Sequence, residues 1–174
     1  MTKKRHPESL ICVSLILLSL SALLFAVTAG VVSAGEKITI GEVEDVVLMP
    51  WGVKLPARID TGAATSSLDA RELKVKNNIA EFRLPKKYGD VQLRLPVVEW
   101  QSIRSADFKE RRPVVEITLC MGPKLIRTQV TLNNRSTVSY PLIVGRNTLR
   151  ENFVVDCLQS RCLPPPSCPE GPSK

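Results

Sequence analysis

Histidine is almost absent from this chain of 174 residues, and aromatic residues make up only 5% of it. The single histidine, His6, precedes the long apolar run near the N-terminus. The remainder of the chain therefore contains neither a His-Glu-x-x-His zinc site nor a histidine-activated serine. A Gly-x4-Gly-Lys-Ser/Thr loop, which would hold a nucleotide, is also missing. We expect no metal, no nucleotide and no cofactor.

The excess of positive charge is modest, at +7 for the whole chain. Basic residues form only small groups, such as Lys86-Lys87 and Arg111-Arg112, and no aromatic residues alternate with them. Binding of single-stranded nucleic acid normally combines a basic groove with aromatic stacking. The sequence therefore does not predict a nucleic-acid partner.

The N-terminus has the pattern of an export signal. Lys3, Lys4 and Arg5 precede an uncharged run over residues 10–32, and small residues lead up to Ala34. This pattern predicts a signal peptide over residues 1–34 and a periplasmic or otherwise exported protein. The run is also long enough to span a bilayer, so an uncleaved anchor in the inner membrane is the alternative, and the only route to membrane association.

Four cysteines follow the predicted signal. In an oxidising compartment an even number favours disulfides, here two with three possible pairings. A zinc site is the alternative, but the spacings are looser than in common zinc motifs. The disulfide candidates are Cys120, Cys157, Cys162 and Cys168.

Between the predicted signal and the C-terminal prolines, short β-branched runs are separated by Pro, Gly and Asn, which predicts a β protein. Ile126 and Val130 alternate with Arg127, Gln129 and Thr131, which predicts one buried and one solvent face. Residues 121–124 predict a hairpin turn. The candidate strands are Thr39–Leu48, Val53–Ile59, Ala80–Leu84, Val91–Val98, Val114–Cys120, Leu125–Leu132 and Phe153–Cys157.

Only Arg146–Arg150 has the character of a short helix, and it directly follows an apolar run and Gly145. Toward the C-terminus, from residue 164 onward, the chain is rich in prolines, which cannot donate the hydrogen bonds of a β-ladder. We expect residues 35–160 to form the β domain. Residues 161–174 are expected to be a Pro-rich tail outside the fold.

Two runs carry the chemical signal. Residues 57–63 end an apolar strand on Asp60, Thr61 and Gly62, so a carboxylate is presented on a turn that the backbone of a substrate can approach. Much later, residues 141–149 contain apolar side chains followed by Gly145, Arg146 and Asn147.

Together the two runs resemble the retropepsins, in which an Asp-Thr-Gly-Ala turn is followed late in the subunit by apolar residues, Gly-Arg-Asn or Gly-Arg-Asp, and a short helix. The chain is most similar to a bacterial family of retropepsin-like aspartic peptidases, often labelled ATP-dependent zinc proteases. The Arg-Ile-Asp-Thr-Gly-Ala-x-Thr-Ser-x-Leu run of that family is matched here by Arg58–Leu68. Further matches are Arg112–Val115, Asn134-Arg135 and Phe153–Asp156.

The resemblance implies an all-β, retropepsin-like (acid protease) closed β-barrel lobe with one short C-terminal helix. It implies an exported aspartic endopeptidase acting on a peptide or protein. In that reading Asp60, Thr61 and Gly62 form the catalytic turn. Substrate binding or support of the turn falls to Ala63, Gly145, Arg146 and Asn147.

Aspartic catalysis needs two carboxylates that share a proton, one as base and one as acid. The chain has one such turn, so the resemblance implies a homodimer with the site on its two-fold axis. An extended peptide would lie across the two copies as an added strand. The alternative is a non-catalytic module of the cell envelope that keeps this fold for peptide binding or regulation.

Some positions depart from the family. Ala64 stands where the viral enzymes have an aspartate that pairs with the arginine of Gly-Arg, so Arg146 needs another partner. Asp69 replaces a histidine of many relatives and is expected to be an ordinary surface or turn residue. No Gly-rich flap is evident; the stretch Gln101–Arg112 lies between predicted strands and is a candidate cover for the site, although it contains no glycine.

Overall fold

The computed structural model describes residues 37–104 and 109–168. Within them the chain is almost entirely β, with one helical turn, α1, over Arg146–Leu149 and a 3-10 turn over Lys86–Tyr88. The strands are β1 Ile38–Ile40, β2 Val43–Met49, β3 Val53–Ile59, β4 Ser66–Asp69, β5 Arg71–Lys76, β6 Ile79–Arg83, β7 Gln92–Arg104, β8 Lys109–Met121, β9 Lys124–Asn133, β10 Leu142–Val144 and β11 Phe153–Val155.

Six of these strands close into a barrel. They follow the order β2-β3-β10-β4-β9-β8, and β8 pairs again with β2. Strands β7, β6 and β5 extend the sheet beyond β8, while β1 and β11 form a separate parallel pair. The predicted all-β class, the closed barrel and the short C-terminal helix are confirmed.

Side chains that alternate along the strands fill the barrel. On β3, Leu55, Ala57 and Ile59 are buried, and β9 buries Ile126 and Val130 while exposing Arg127 and Gln129. The prediction for Thr131 was wrong. It is buried, and its hydroxyl remains satisfied there because it donates to the carbonyl of Ser66 on the neighbouring strand β4.

Several strand bounds differ from the prediction. The expected strand Thr39–Leu48 is broken at Gly41, where a Cβ would lie 2.6 Å from the carbonyl oxygen of Gln159. Strands β7 and β8 are longer than predicted, so most of Gln101–Arg112 belongs to two arms of one hairpin. Strands β4 and β5 were not predicted. The hairpin turn between β8 and β9 is confirmed, with Gly122 at a positive φ of 57°.

Asp69 is not a surface residue. Only 2% of its surface is exposed. Its carboxylate accepts two hydrogen bonds from the Arg71 guanidinium, at 2.8 and 2.7 Å, and a third from the backbone N–H of Arg135 at 2.9 Å. Burial of this carboxylate is possible because all of these donors converge on it.

One disulfide forms among the four cysteines, and it joins Cys120 to Cys168. Cys157 and Cys162 remain free thiols, so the expectation of two disulfides was wrong. Their spacing gave no information about which partner the barrel would bring close. The bond fastens the proline-rich segment to β8.

The proline-rich segment packs on the barrel as far as it is described, although it was expected to lie outside the fold. The buried carboxylate of Glu44 accepts the backbone N–H groups of Cys162 and Leu163, at 2.9 and 3.2 Å. Leu163 packs against the core, and Ser167 donates its N–H to the carbonyl of Gly122. The backbone N–H groups of residues other than proline hold this segment on the barrel.

The predicted signal or anchor over residues 1–34 lies outside the described residues. Among the residues that are described, no helix has the length and apolar character needed to cross a membrane. Residues 105–108, between β7 and β8 in the sequence, and residues 169–174 also lie outside the described part.

Candidate active site

Asp60 follows β3 directly and sits at the start of a tight turn. The N–H groups of Gly62 and Ala63 both donate to its Oδ1, at 2.9 and 3.1 Å. Within the described residues its Oδ2 makes no hydrogen bond. Thr61 and Gly62 are exposed, and Asp60 is half-buried. The carboxylate is therefore oriented by its own turn while one oxygen stays available.

The two predicted runs meet in space. Strand β10 pairs with β3 in parallel register, with Val144 opposite Ile59, and the Asp60 N–H donates to the Val144 carbonyl at 3.0 Å. The next residue, Gly145, faces the loop that follows the turn. A Cβ there would lie 2.8 Å from the carbonyl carbon of Thr65, so the close approach depends on glycine.

Backbone carbonyls of the turn replace the aspartate missing at position 64 as the partners of Arg146. Its guanidinium donates to the carbonyl oxygens of Thr61 and Gly62, at 2.9 and 2.7 Å, and its backbone N–H donates to the carbonyl of Ala63 at 2.9 Å. The N–H of the following residue donates to the Ala64 carbonyl at 3.1 Å. Four consecutive carbonyls of the turn thus point toward α1.

Asn147 joins the turn to the barrel. Its Oδ1 accepts both the N–H and the hydroxyl of Ser66, each at 2.9 Å, and its Nδ2 donates to the Gln129 carbonyl at 2.7 Å. The hydroxyl of Ser66 also accepts the Gly145 N–H at 3.0 Å and lies 2.8 Å from that of buried Thr148. The supporting role of Ser66 and Thr148 was not predicted from the sequence because a buried hydroxyl leaves no local pattern.

A cleft of about 280 Å³ lies against the turn. One wall comes from the residues after Asp60 and the other from the β7–β8 hairpin, where Gln101 Nε2 donates to the Thr65 hydroxyl at 3.2 Å. The stretch expected to be a cover therefore borders the site. The lining residues are Ala63, Ala64, Thr65, Ser67, Gln101, Ile103, Arg112, Thr131, Arg135 and Ile143.

Arg135 brings a positive charge to this cleft. Its Nε donates to the Tyr140 carbonyl at 3.2 Å, and Asp69 accepts its backbone N–H. Burial lowers the pKa of its guanidinium below the usual range. The negative charge of Asp69 opposes this lowering, and the positive charge of Arg112 lowers the pKa further. The field of Asp60 also reaches Arg135 and raises its pKa. The sequence marked Arg135 only as part of a family match.

No group of three or more His, Cys, Asp or Glu side chains suited to a metal ion occurs in residues 37–104 and 109–168. The candidate catalytic, supporting and cleft residues instead gather at one end of β3, β4 and β10.

Comparison with known proteins gives a family and several relatives. A family model described as the RimB-like, retropepsin-like aspartic endopeptidase RimB matches residues 39–166. A protein of unknown function from Legionella pneumophila has a solved structure that is 29% identical, covers 73% of this chain and 98% of its own, and superposes with a TM-score of 0.63. The protease of a simian foamy virus covers 62% of this chain and 91% of its own, at 14% identity and a TM-score of 0.39.

Curated relatives bear a different name. A probable alpha-L-glutamate ligase from Shewanella pealeana is 28% identical over 74% of this chain, and one from Parasynechococcus marenigrum is 28% identical over 70%. The matched region makes up 30% and 28% of those proteins. The chain thus spans less than a third of the curated relatives that it matches.

Proposed function

Because the chain belongs to the RimB-like family of retropepsin-like aspartic endopeptidases, we propose that it hydrolyses peptide bonds with a water activated by the Asp60 carboxylates of two copies. The observation that carries this proposal is the presentation of Asp60. Its Oδ1 is held by two backbone donors, and its Oδ2 is unbonded within the described residues. Thr61, Gly62 and Ala63 complete the proposed turn.

The proposed mechanism divides two roles between the carboxylates. Like charges held close together ionise separately, so one Asp60 carries a proton while the other is ionised. The ionised carboxylate removes a proton from water as the oxygen attacks the scissile carbonyl, and the protonated carboxylate donates to the carbonyl oxygen. The carboxylate that took the proton from water then gives it to the leaving nitrogen, and collapse of the tetrahedral intermediate breaks the C–N bond. Gly145, Arg146 and Asn147 act by positioning the turn.

The fold supports a homodimer at this surface. The Ile59 N–H donates to the Glu42 carbonyl at 2.8 Å, and β1 ends at Ile40, two residues before Glu42, so the β1–β11 pair lies near the end of the strand that presents Asp60. Within the described residues this two-stranded sheet has no further strand on either edge, and Val154 on β11 is 53% exposed. A second copy would both cover these edges and supply the second carboxylate.

The proposed substrate is an extended peptide laid between the turn and the β7–β8 hairpin. The relatives are named glutamate ligases, and their longer chains contain a region similar to this one. This association supports peptides that contain glutamate as the substrate class. We also propose an exported location, which the N-terminal sequence supports and with which the Cys120–Cys168 disulfide is compatible. Residues 35–160 are the proposed catalytic domain.

The test is the variant Asp60→Asn in the full chain. It should keep the fold and the dimer by sedimentation and lose cleavage of an unstructured glutamate-containing protein by about 10³-fold or more, as when a member of a catalytic unit is removed. Asp90→Asn, in a surface ion pair with Arg83, is the matched control and should retain activity. Equal cleavage by wild type and Asp60→Asn contradicts the aspartic mechanism. Active protein that stays monomeric contradicts the shared site.

A second candidate function is a peptide-binding module without turnover. The cleft and the hairpin beside it favour it, because both serve binding whether or not the two carboxylates meet. Wild-type protein that binds peptide, dimerises and leaves every peptide intact would support this alternative.

A further inference from the structure

The cleft beside the turn contains two buried polar groups without partners. Ser67 is only 7% exposed, and its hydroxyl makes no hydrogen bond within the described residues. The same holds for Oε1 of Gln101, whose Nε2 contacts the Thr65 hydroxyl. Both residues line the cleft. Buried polar groups are almost always satisfied, so two exceptions in one cleft indicate a group that the site is built to receive.

The charge of the cleft indicates the sign of that group. Arg112 donates to the Glu110 carboxylate at 2.9 and 2.7 Å, which holds its guanidinium beside the cleft and neutralises it. Arg135 has no such carboxylate on its guanidinium, since Asp69 accepts its backbone N–H and pairs through both oxygens with Arg71. An anion in the cleft would offset the free-energy cost of burying the Arg135 guanidinium.

The remaining lining fits the stem of a side chain. Ile103 and Ile143 provide apolar contacts, with Ala63 and Ala64 beside them. The Gln101 amide can turn over and still contact the Thr65 hydroxyl, which both donates and accepts. In that orientation the amide NH₂ of Gln101, the Ser67 hydroxyl and the guanidinium of Arg135 are three donors around a short apolar channel.

We propose that this cleft is a specificity subsite that receives the carboxylate side chain of a substrate glutamate or aspartate, with Ser67, Gln101 and Arg135 as its donors. The proposal deepens the proposed function and rests on it in one respect: that the ligand is a peptide. A carboxylate has four acceptor sites and no donor, which matches this set of donors. A side-chain amide brings no charge to balance Arg135.

The test measures peptide binding apart from cleavage. Full-length Asp60→Asn protein is titrated with fluorescent peptides that carry one glutamate, or one glutamine at the same place, in an otherwise uncharged sequence. The glutamate peptide should bind at least about tenfold more tightly, at the low end for hydrogen bonds to a charged group. Ser67→Ala and Arg135→Gln should each reduce this ratio, and Arg135→Lys should keep part of it because the charge remains.

A matched control separates the subsite from general electrostatics. Arg94→Gln removes an exposed arginine that pairs with Glu81 on β6, and it should leave the glutamate-to-glutamine ratio unchanged. Thermal unfolding checks that each variant is folded. The proposal is overturned if glutamine binds as well as glutamate, if no peptide binds, or if the preference survives both Ser67→Ala and Arg135→Gln. A glutamate preference in protein whose wild type cleaves nothing would retain the subsite and reject the peptidase.

Discussion

Replacement of Arg146 by alanine tests whether the helix side of the turn holds the candidate active site in place. The change removes two hydrogen bonds to the carbonyls of Thr61 and Gly62, both near solvent. At about 0.5–1.5 kcal/mol each, their loss should lower the free energy of unfolding by about 1–3 kcal/mol. A domain with a typical stability of about 5–15 kcal/mol would remain almost fully folded after this loss.

The same change should lower activity strongly although the protein stays folded. Once the two carbonyls are released, the turn that presents Asp60 can shift, and a displacement of about 1 Å at a reacting group can cost about 10²-fold in rate. We expect kcat to fall by about one to two orders of magnitude while urea unfolding shows a folded protein. The control is Arg150→Ala at the end of the same helix, whose exposed side chain makes no hydrogen bond within the described residues. If both variants unfold alike and keep full activity, Arg146 does not position the turn.

Three further changes test other parts of the structure. Gly145→Ala places a Cβ 2.8 Å from a backbone carbon of the loop after the turn. We expect the free energy of unfolding to fall by about 1–3 kcal/mol and activity to fall with it. Cys168→Ser breaks the bond to Cys120, which closes a separation of 48 residues, and should cost about 2–4 kcal/mol by urea unfolding, whereas Cys157→Ser, at a free exposed thiol, should cost almost nothing. Hydrogen bonds from the backbone N–H of Leu158 and from the side chain of Gln159 lower the pKa of Asp156. The ionised carboxylate therefore stabilises the fold fully above the unfolded pKa of about 3.9, and this contribution disappears as pH falls through the lower folded pKa. The difference in melting temperature between wild type and Asp156→Asn should therefore be constant near neutral pH and vanish in acid; a difference independent of pH would contradict this origin.

The β class and several strands could be predicted because they depend on local pattern, whereas the closed barrel was implied by the family resemblance. Strand β3 was predicted with the bounds that the structure shows, since Pro, Gly and an apolar alternation delimit it. The contact of residues 60–63 with residues 144–147 was inferred from a family resemblance. A pairing at this sequence separation has no signal in either segment alone.

Strand β4 and Asp69 show why the remainder was missed. The sequence Ser-Ser-Leu-Asp has weak intrinsic preference for a strand, yet β9 and β10 pair with it on both sides and bury all four residues. Asp69 ends this strand and meets Arg71 and Arg135 there. Tertiary contacts, and not local propensity, determine both outcomes. The same holds for the Cys120–Cys168 pairing.

The hydrogen bonds of the turn explain why one protomer would hold half of a site. Four carbonyls, of residues 61–64, accept from α1, and two N–H groups of the turn donate to Asp60 Oδ1. These four carbonyls and the N–H groups of Gly62 and Ala63 are thereby satisfied within one chain. Among the side-chain groups of Asp60 and Thr61, Oδ2 and the threonine hydroxyl make no hydrogen bond within the described residues, where Asp60 is half-buried and Thr61 is exposed. An acceptor and a hydroxyl that can donate are what a second copy, related by a two-fold axis, would need in order to pair with the same two groups.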